Sequence, residues 1–244
     1  MTNNHYVFSV EGNIGSGKST FLKMLKKHMP SELNKLPVVF LQEPVDKWMS
    51  IKDENDETIL SKFYKDTNKY AFSFQMMAYV SRLSILRETI NNYPNGAIII
   101  SERCLETDKK VFAKMLFDDK QIENVNYQIY NMWFNEFNIP SAGHIYIRSN
   151  PNTAHERVQK RSRDGEDTIA IEYLTKCHDY HENMMTSIPF QNKLILITED
   201  MEFKYEYYSV WINKVILFVN EKTTKYPEMK RYLSSEDIKM LSYS

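Results

Sequence analysis

Cysteine and glycine are both scarce in this 244-residue chain, which holds two of the first and six of the second. Two cysteines, Cys104 and Cys177, make neither a disulfide framework nor a zinc-ligand pattern, so they support a reducing compartment. Charge of one sign is not in excess either: 31 Lys and Arg stand against 32 Asp and Glu, a net charge of −1. Such a surface gives no broad attraction for nucleic acid or an anionic membrane, and any anion site must come from local clustering. No apolar run approaches the roughly 18 residues that a membrane-spanning helix needs. The opening "MTNNHY" lacks both a charged segment before an apolar core and an Arg/Ser-rich amphipathic pattern, which points to the cytoplasm. Repeats, low-complexity tracts and Gly/Ser linkers are missing too. What remains, 42% hydrophobic and 26% charged, suits one domain with a substantial core over residues 1–221. A polar, tyrosine-rich tail, 222–244, has no assignable role.

Five short apolar runs predict buried strands: "YVFSV" (6–10), "VVFLQ" (38–42), "AIIIS" (97–101), "HIYIR" (144–148) and "KLILI" (193–197). Continuous β-branched runs are the mark of parallel strands covered on both faces. Helical pattern fills the gaps at about 17–28, 58–66, 69–92, 105–117, 121–137, 151–162, 169–187 and 203–220. Alternating strands and helices imply βαβ units, hence an α/β fold in three layers with a five-stranded parallel sheet between helices.

The few glycines are concentrated: Gly12, Gly15 and Gly17 all fall in "VFSVEGNIGSGKST" (7–20). Gly12-x-x-x-x-Gly17-Lys18-Ser19 is the phosphate-loop pattern, placed as it must be between a predicted strand and a predicted helix. Glycines let backbone N–H groups turn inward onto phosphate oxygens, and the helix N-terminus adds its partial positive charge. Lys18 is expected on the β- and γ-phosphates and Ser19 on Mg²⁺. The loop therefore binds a nucleoside triphosphate. GTPase switches, motor ATPases and small-molecule kinases share it, so the fate of the γ-phosphate must be read elsewhere.

Three segments describe an acceptor site. Strand two runs into "QEPVDKW", which sets Glu43 at a strand carboxyl end, where ligands sit in an open parallel sheet. A carboxylate there suits proton removal from an attacking hydroxyl, and Trp48 follows as core or as a platform for a base. Strand three runs into "SERCLETDKK", with Glu102 suited to Mg²⁺ and Arg103 to phosphate or to orienting Glu43. The third, "YAFSFQMMAYVSRLSIL", places Phe72, Gln75, Tyr79, Arg82 and Leu86 on one helix face. A buried amide and guanidinium need partners: Gln75 can pair bidentately with a base edge, and Asp108 is the candidate anion for Arg82. The run "HERVQKRSRDGED" gathers Arg157, Lys160, Arg161 and Arg163, either a solvated helix face or a mobile lid over phosphates. His178 and His181 in "CHDYHE" have no third ligand nearby, which argues against a metal.

Together these segments resemble the deoxynucleoside kinases of the deoxycytidine/deoxyguanosine kinase family, from about Val7 to Val219. "EGNIGSGKST" matches the family's phosphate loop, which implies Gly12, Asn13, Ile14, Gly15, Ser16, Gly17, Lys18, Ser19 and Thr20 around the donor. "EPVDKW" implies Glu43 as base with Trp48 near the substrate, and "FYKD" implies Tyr64 on the deoxyribose 3′-hydroxyl. "SFQ" implies Phe74 stacking and Gln75 bonding the base, with Phe112 in the same pocket. "ERC" implies Glu102 near Mg²⁺ and Arg103 near the 5′-oxygen, with Cys104 standing where the family usually has Ser. "RVQKRSRDGE" implies Arg157, Arg161 and Arg163 on phosphates and Glu166 joining Tyr64.

The resemblance implies γ-phosphoryl transfer from ATP or another nucleoside triphosphate, with Mg²⁺, to the 5′-hydroxyl of a deoxynucleoside. It also implies a homodimer. Arg82 and Asp108 match members that take deoxycytidine and purine deoxynucleosides, and a charged pair beside the base edge crowds the thymine methyl. Two rivals remain at this point. One is a nucleoside monophosphate kinase of the thymidylate kinase type; the other is a regulatory nucleotide binder that transfers nothing.

Overall fold

The computed structural model describes residues 4–161, 169–198 and 205–224. Strand β1 (His5–Glu11) runs into the glycine-rich loop and helix α1 (Lys18–His28). A short hairpin, β2 (Glu32–Leu33) and β3 (Leu36–Leu41), then leads through α2 (Val45–Met49) and α3 (Ile59–Lys65) to the long α4 (Thr67–Asn92). Next come β4 (Ala97–Glu102), α5 (Leu105–Thr107), a π-helical turn over Asp108–Ala113, α6 (Lys114–Asp118) and α7 (Asn124–Phe137). Strand β5 (Gly143–Arg148), α8 (Pro151–Arg161), α9 (Ile171–Ser187), β6 (Lys193–Ile197) and α10 (Tyr205–Thr223) complete the order.

The sheet runs β2-β3-β4-β1-β5-β6 and is parallel except at the β2–β3 hairpin. All five predicted strands are present, and β2 is an addition of two residues, too short for a hydrophobic period to register. Alternate side chains of each central strand enter different cores. Phe8, Val10, Ile98, Ile100, Ile145 and Ile147 pack on α1 and α10. Val7 and Ile99 meet Leu86 of α4, while Tyr146 meets Met184 and Met185 of α9. Full burial of each such aliphatic is worth about 1.5–3 kcal/mol, so the three central strands anchor the fold. Cover on both faces does not extend to the edges. The residues of β3 are half-buried, and Ile195 and Ile197 of β6 are 43% and 51% exposed.

The helix expected over 105–117 is instead three pieces around the π-turn. Thr107, Asp108, Val111, Ala113, Met115 and Leu116 are all buried. One extra residue in the turn rotates the chain so that both sides of that crowded segment find cover, a rotation that a 3.6-residue period cannot reveal. The short α2 is a further addition; it follows Pro44, which fits a first helical turn. Side-chain caps start two helices that line the main cavity. Thr58 accepts from Ser61 N at 3.1 Å for α3, and Asp66 from Lys69 N at 3.2 Å for α4. Among the described residues no helix is long and apolar enough to cross a membrane.

Candidate active site

The glycines before α1 are dictated by space. Gly12 has φ 145°, and a Cβ there would sit 2.6 Å from the Ile147 carbonyl oxygen. Gly15, at φ 78°, presses on the backbone of Ala154 in α8. The turn they make leaves the first amides of α1 without intrahelical acceptors and no acidic side chain in the first turn to occupy them. Lys18 Nζ donates to Asn13 O at 2.6 Å, closing the loop on itself. Burial, then the charge of Arg103, pushes the Lys18 ammonium down to about 7. Asn13 does not face the cavity: its Nδ2 donates to Leu174 O at 2.8 Å, and its Oδ1 accepts from Ile14 N. It staples the loop to α9. Ser16 is fully buried beneath the loop, whereas Ile14, Gly15, Gly17, Lys18, Ser19 and Thr20 line a cavity of about 610 Å³.

At the carboxyl end of β4, Glu102 Oε1 accepts from Ser19 Oγ at 2.7 Å, so a hydroxyl and a carboxylate converge beside the loop. Arg103 follows in the left-handed region, φ 64°, a conformation that costs a side chain of this kind on the order of 1 kcal/mol. That turn aims its guanidinium back across the sheet end. Nη1 donates to Gly12 O at 2.9 Å and to His181 Nε2 at 3.1 Å, and Nε lies 3.3 Å from Glu43 Oε1. Phe112 covers the guanidinium face, 4.8 Å away. His181 is fully buried, and its Nδ1 donates to Cys177 O at 2.6 Å, which leaves Nε2 to accept from Arg103. Burial and the Arg103 charge hold its pKa well below the usual histidine value, so the ring is neutral. The sequence gives His181 no role, since its spacing from His178 argues against a metal; its packing against an arginine leaves no local signal.

Glu43, just beyond β3, bridges two arginines: Arg103 and, at 3.1 Å, Arg82 Nη2. Burial pushes its carboxyl up, but Arg103, Arg82 and Lys18 overcome that and hold it at about 2. Arg82 is buried in α4, and each of its three nitrogens donates. Nε reaches Asp108 Oδ2 at 2.8 Å, Nη2 reaches Asp108 Oδ1 at 3.3 Å, and Nη1 reaches Glu102 O at 2.6 Å. Desolvation opposes its charge, yet Asp108 and Glu43 keep it protonated. Two turns earlier on the same face, Gln75 is 2% exposed, lines the cavity and makes no hydrogen bond among the described residues. Phe74 stacks on Phe63 at 4.5 Å and takes the edge of Trp48 at 5.6 Å, while Trp48 Nε1 donates to Ser81 Oγ. Tyr64 stands edge-on to Tyr173 at 6.3 Å on the opposite wall.

One cavity thus gathers Glu43, Trp48, Tyr64, Phe74, Gln75, Arg82, Glu102, Arg103, Asp108 and Phe112 with the phosphate loop. Arg157, Lys160 and Arg161 of α8 stand at its mouth, the Arg157 guanidinium 3.5 Å from Ser16 O. Arg163 and Glu166 lie outside the described residues. Sequence reasoning misses Leu60, Phe63, Ala78 and Tyr173, which line the same cavity. Leu60 and Phe63 share a helix face with Tyr64, a spacing that could have found them. The chemistry on offer is phosphoryl transfer: an ionised carboxylate, two arginines and an amide cradle around one space.

Comparison with known proteins agrees with this geometry. The profile of the family described as deoxynucleoside kinase matches residues 8–221. A probable deoxycytidine kinase of fowlpox virus is 34% identical over 186 residues, 75% of this chain and 72% of that protein. The mitochondrial deoxyguanosine kinase of Xenopus laevis is 29% identical over 223 residues, 80% and 82% of the two chains. Human deoxycytidine kinase is 27% identical over 241 residues, 87% and 90%. With a phosphate loop, a doubly paired carboxylate and an aromatic pocket in one cleft, and a family profile covering nearly the whole chain, this protein belongs to the deoxynucleoside kinase family of phosphotransferases.

Proposed function

We propose that the enzyme transfers the γ-phosphoryl group of ATP, or another nucleoside triphosphate, to the 5′-hydroxyl of a deoxynucleoside in cytoplasmic nucleotide salvage. The preferred acceptors are deoxycytidine or a purine deoxynucleoside over thymidine. The observation that carries this reading is the Arg82–Asp108 pair, buried and bidentate, beside the unpartnered Gln75 amide in an aromatic slot. Gln75 offers one donor and one acceptor to a base edge, and Phe74 offers a face to stack on. The charged pair fills the space that a 5-methyl group requires. A site built on buried polar groups rejects a mismatched base by up to roughly 10⁴- to 10⁵-fold, because those groups then go unpaired.

In this mechanism Glu43 accepts the proton of the 5′-hydroxyl. A carboxylate held at about 2 is a weak base, which suits a loose transition state in which the proton leaves late. Arg103 bridges Glu43 and the phosphate loop, so it orients the base and meets charge developing on the transferred group. Lys18 leaves Asn13 O for the β- and γ-phosphates, and Arg157, Arg161 and Arg163 close over them. Tyr64 and Glu166 hold the 3′-hydroxyl. Ser19 and Glu102 supply hard oxygen donors in contact with each other, a set that fits Mg²⁺. Those two residues would hold the ion, which would supply positive charge against the phosphates.

The test is transfer from γ-labelled ATP with Mg²⁺. Label should appear in a nucleoside 5′-monophosphate, and ATP consumption should require added nucleoside. Product from thymidine monophosphate alone would make the enzyme a monophosphate kinase, and no product and no ATP consumption with any acceptor would leave a regulatory nucleotide binder.

The quaternary reading is a homodimer through α4 and α7. Val125, Ile129, Met132 and Trp133 are 58%, 38%, 65% and 42% exposed along one side of α7, with Val80 of α4 at 46%. Such a stripe between two packed helices is the apolar centre that a helix-paired interface needs.

A further inference from the structure

We propose that Glu11, Cys104 and His144 form a buried binding site for one zinc ion, on the sheet face beneath the phosphate loop and apart from the Ser19–Glu102 pair. The sheet register brings them together. His144 of β5 pairs with Ser9 of β1, and Glu11, two residues further on, projects from the same face. Cys104 arrives after β4, turned in by the left-handed Arg103. One donor atom from each of the three lies within 4.8 Å of the other two. The residues are 0%, 5% and 4% exposed, so the cluster is enclosed.

Three independent features point to a cation. Both carboxylate oxygens of Glu11 are buried and accept no hydrogen bond of ordinary geometry among the described residues, although the Cys104 thiol faces them. An ionised carboxylate so placed costs several kcal/mol unless a cation or a proton meets it. Next, the supporting bonds already hold the other two donors as a metal requires. His144 Nδ1 lies 2.9 Å from Ser9 Oγ, so with Nδ1–H donating there, Nε2 keeps its lone pair. Thr107 Oγ1 lies 3.3 Å from Cys104 Sγ and can donate to a thiolate. Last, the donor set is one sulfur, one imidazole nitrogen and a carboxylate, which suits zinc and not the magnesium of the nucleotide site. Two oxygens from Glu11 complete four donor atoms. The charges close as well: thiolate and carboxylate against a dication leave the enclosed site neutral, with one thiol proton released on binding. Zinc bonds of about 2.0–2.3 Å require the donors to draw together by about 1 Å, within the reach of side-chain rotation.

The test uses the tag-free, full-length protein produced in minimal medium supplemented with cobalt, a spectroscopic stand-in for zinc. After gel filtration, about one cobalt per chain is expected, with a near-ultraviolet thiolate-to-cobalt charge-transfer band. Cobalt held by oxygen donors at Ser19 and Glu102 gives no such band. Cys104→Ser should abolish the band, His144→Gln should weaken cobalt retention about 10- to 100-fold, and Cys177→Ser should leave both unchanged. Wild-type protein without the band overturns the proposal whether or not the variants fold, as does a band that survives Cys104→Ser and disappears in Cys177→Ser.

Discussion

Glu43 carries its charge between Arg103 and Arg82, and its role follows from that position. Replacing it by Gln keeps the shape and removes the charge. Turnover should fall on the order of 10² to 10⁴ while the circular dichroism spectrum is retained; wild-type turnover would remove Glu43 from proton transfer. Because its folded pKa is depressed to about 2, the stability it contributes is present above the unfolded carboxylate value and is lost only as pH falls towards 2. Lys18 behaves in the opposite sense. Burial and Arg103 lower its pKa to about 7, whereas bound polyphosphate favours the ammonium, so nucleotide binding takes up a proton. ATP affinity of the free enzyme should therefore decline above about pH 7, towards tenfold per unit, and Lys18→Arg should flatten that decline. Calorimetric titration between pH 6 and 9 reads it; equal pH dependence in both proteins would exclude Lys18 as its source. His181 tests positioning. His181→Phe leaves an Arg103 donor buried without an acceptor and should lower kcat about 10- to 100-fold with little change in KM for ATP. His181→Gln offers an amide oxygen and should recover part of that loss. Equal defects in the two variants would reduce His181 to a packing residue.

At the scale of elements, what the sequence displays clearly is whatever repeats at a fixed period over many residues. The long α4 shows this well: Phe72, Gln75, Tyr79, Arg82 and Leu86 share one face by spacing, and all are buried except Phe72, which is half-buried. Strands β1, β4 and β5 are legible because β-branched runs bounded by turn residues rarely form anything but buried strands. The π-turn at Asp108–Ala113 is not, since a single inserted residue changes phase without changing composition. Yet that turn sets Asp108 on Arg82 and Phe112 on Arg103. The hairpin strand β2 and helix α2 are equally hidden, being two and five residues long. The exposed stripe of α7 yields a prediction of its own. Met132→Asp with Trp133→Asp should convert a dimer to a monomer in sedimentation equilibrium without loss of helix content. A wild-type protein that sediments as a monomer at micromolar concentration would exclude this surface as a dimer interface.

For the molecule as a whole, the order of strands is beyond the sequence, because parallel pairing depends on which crossovers the helices make and leaves no local trace. The site is more legible than the topology. A phosphate loop, a carboxylate and an arginine each sit at a strand's carboxyl end, and a sheet brings those ends to one rim whatever the strand order. What spacing cannot supply are contacts between distant segments: Asn13 with Leu174, Arg103 with His181, and Glu11 with Cys104 and His144. In the proposed function, substrate choice is assigned to one such contact, Arg82 with Asp108, which the sequence offers only as a candidate partnership. The most direct test of the account is therefore the ratio of kcat/KM for deoxycytidine and the purine deoxynucleosides against that for thymidine, with ATP and Mg²⁺ saturating. The account predicts that thymidine is disfavoured by at least about 100-fold against the best of the three, as expected for a buried polar site that a methyl group disturbs. Thymidine as the best acceptor would contradict it and leave the Arg82–Asp108 pair without the role assigned to it.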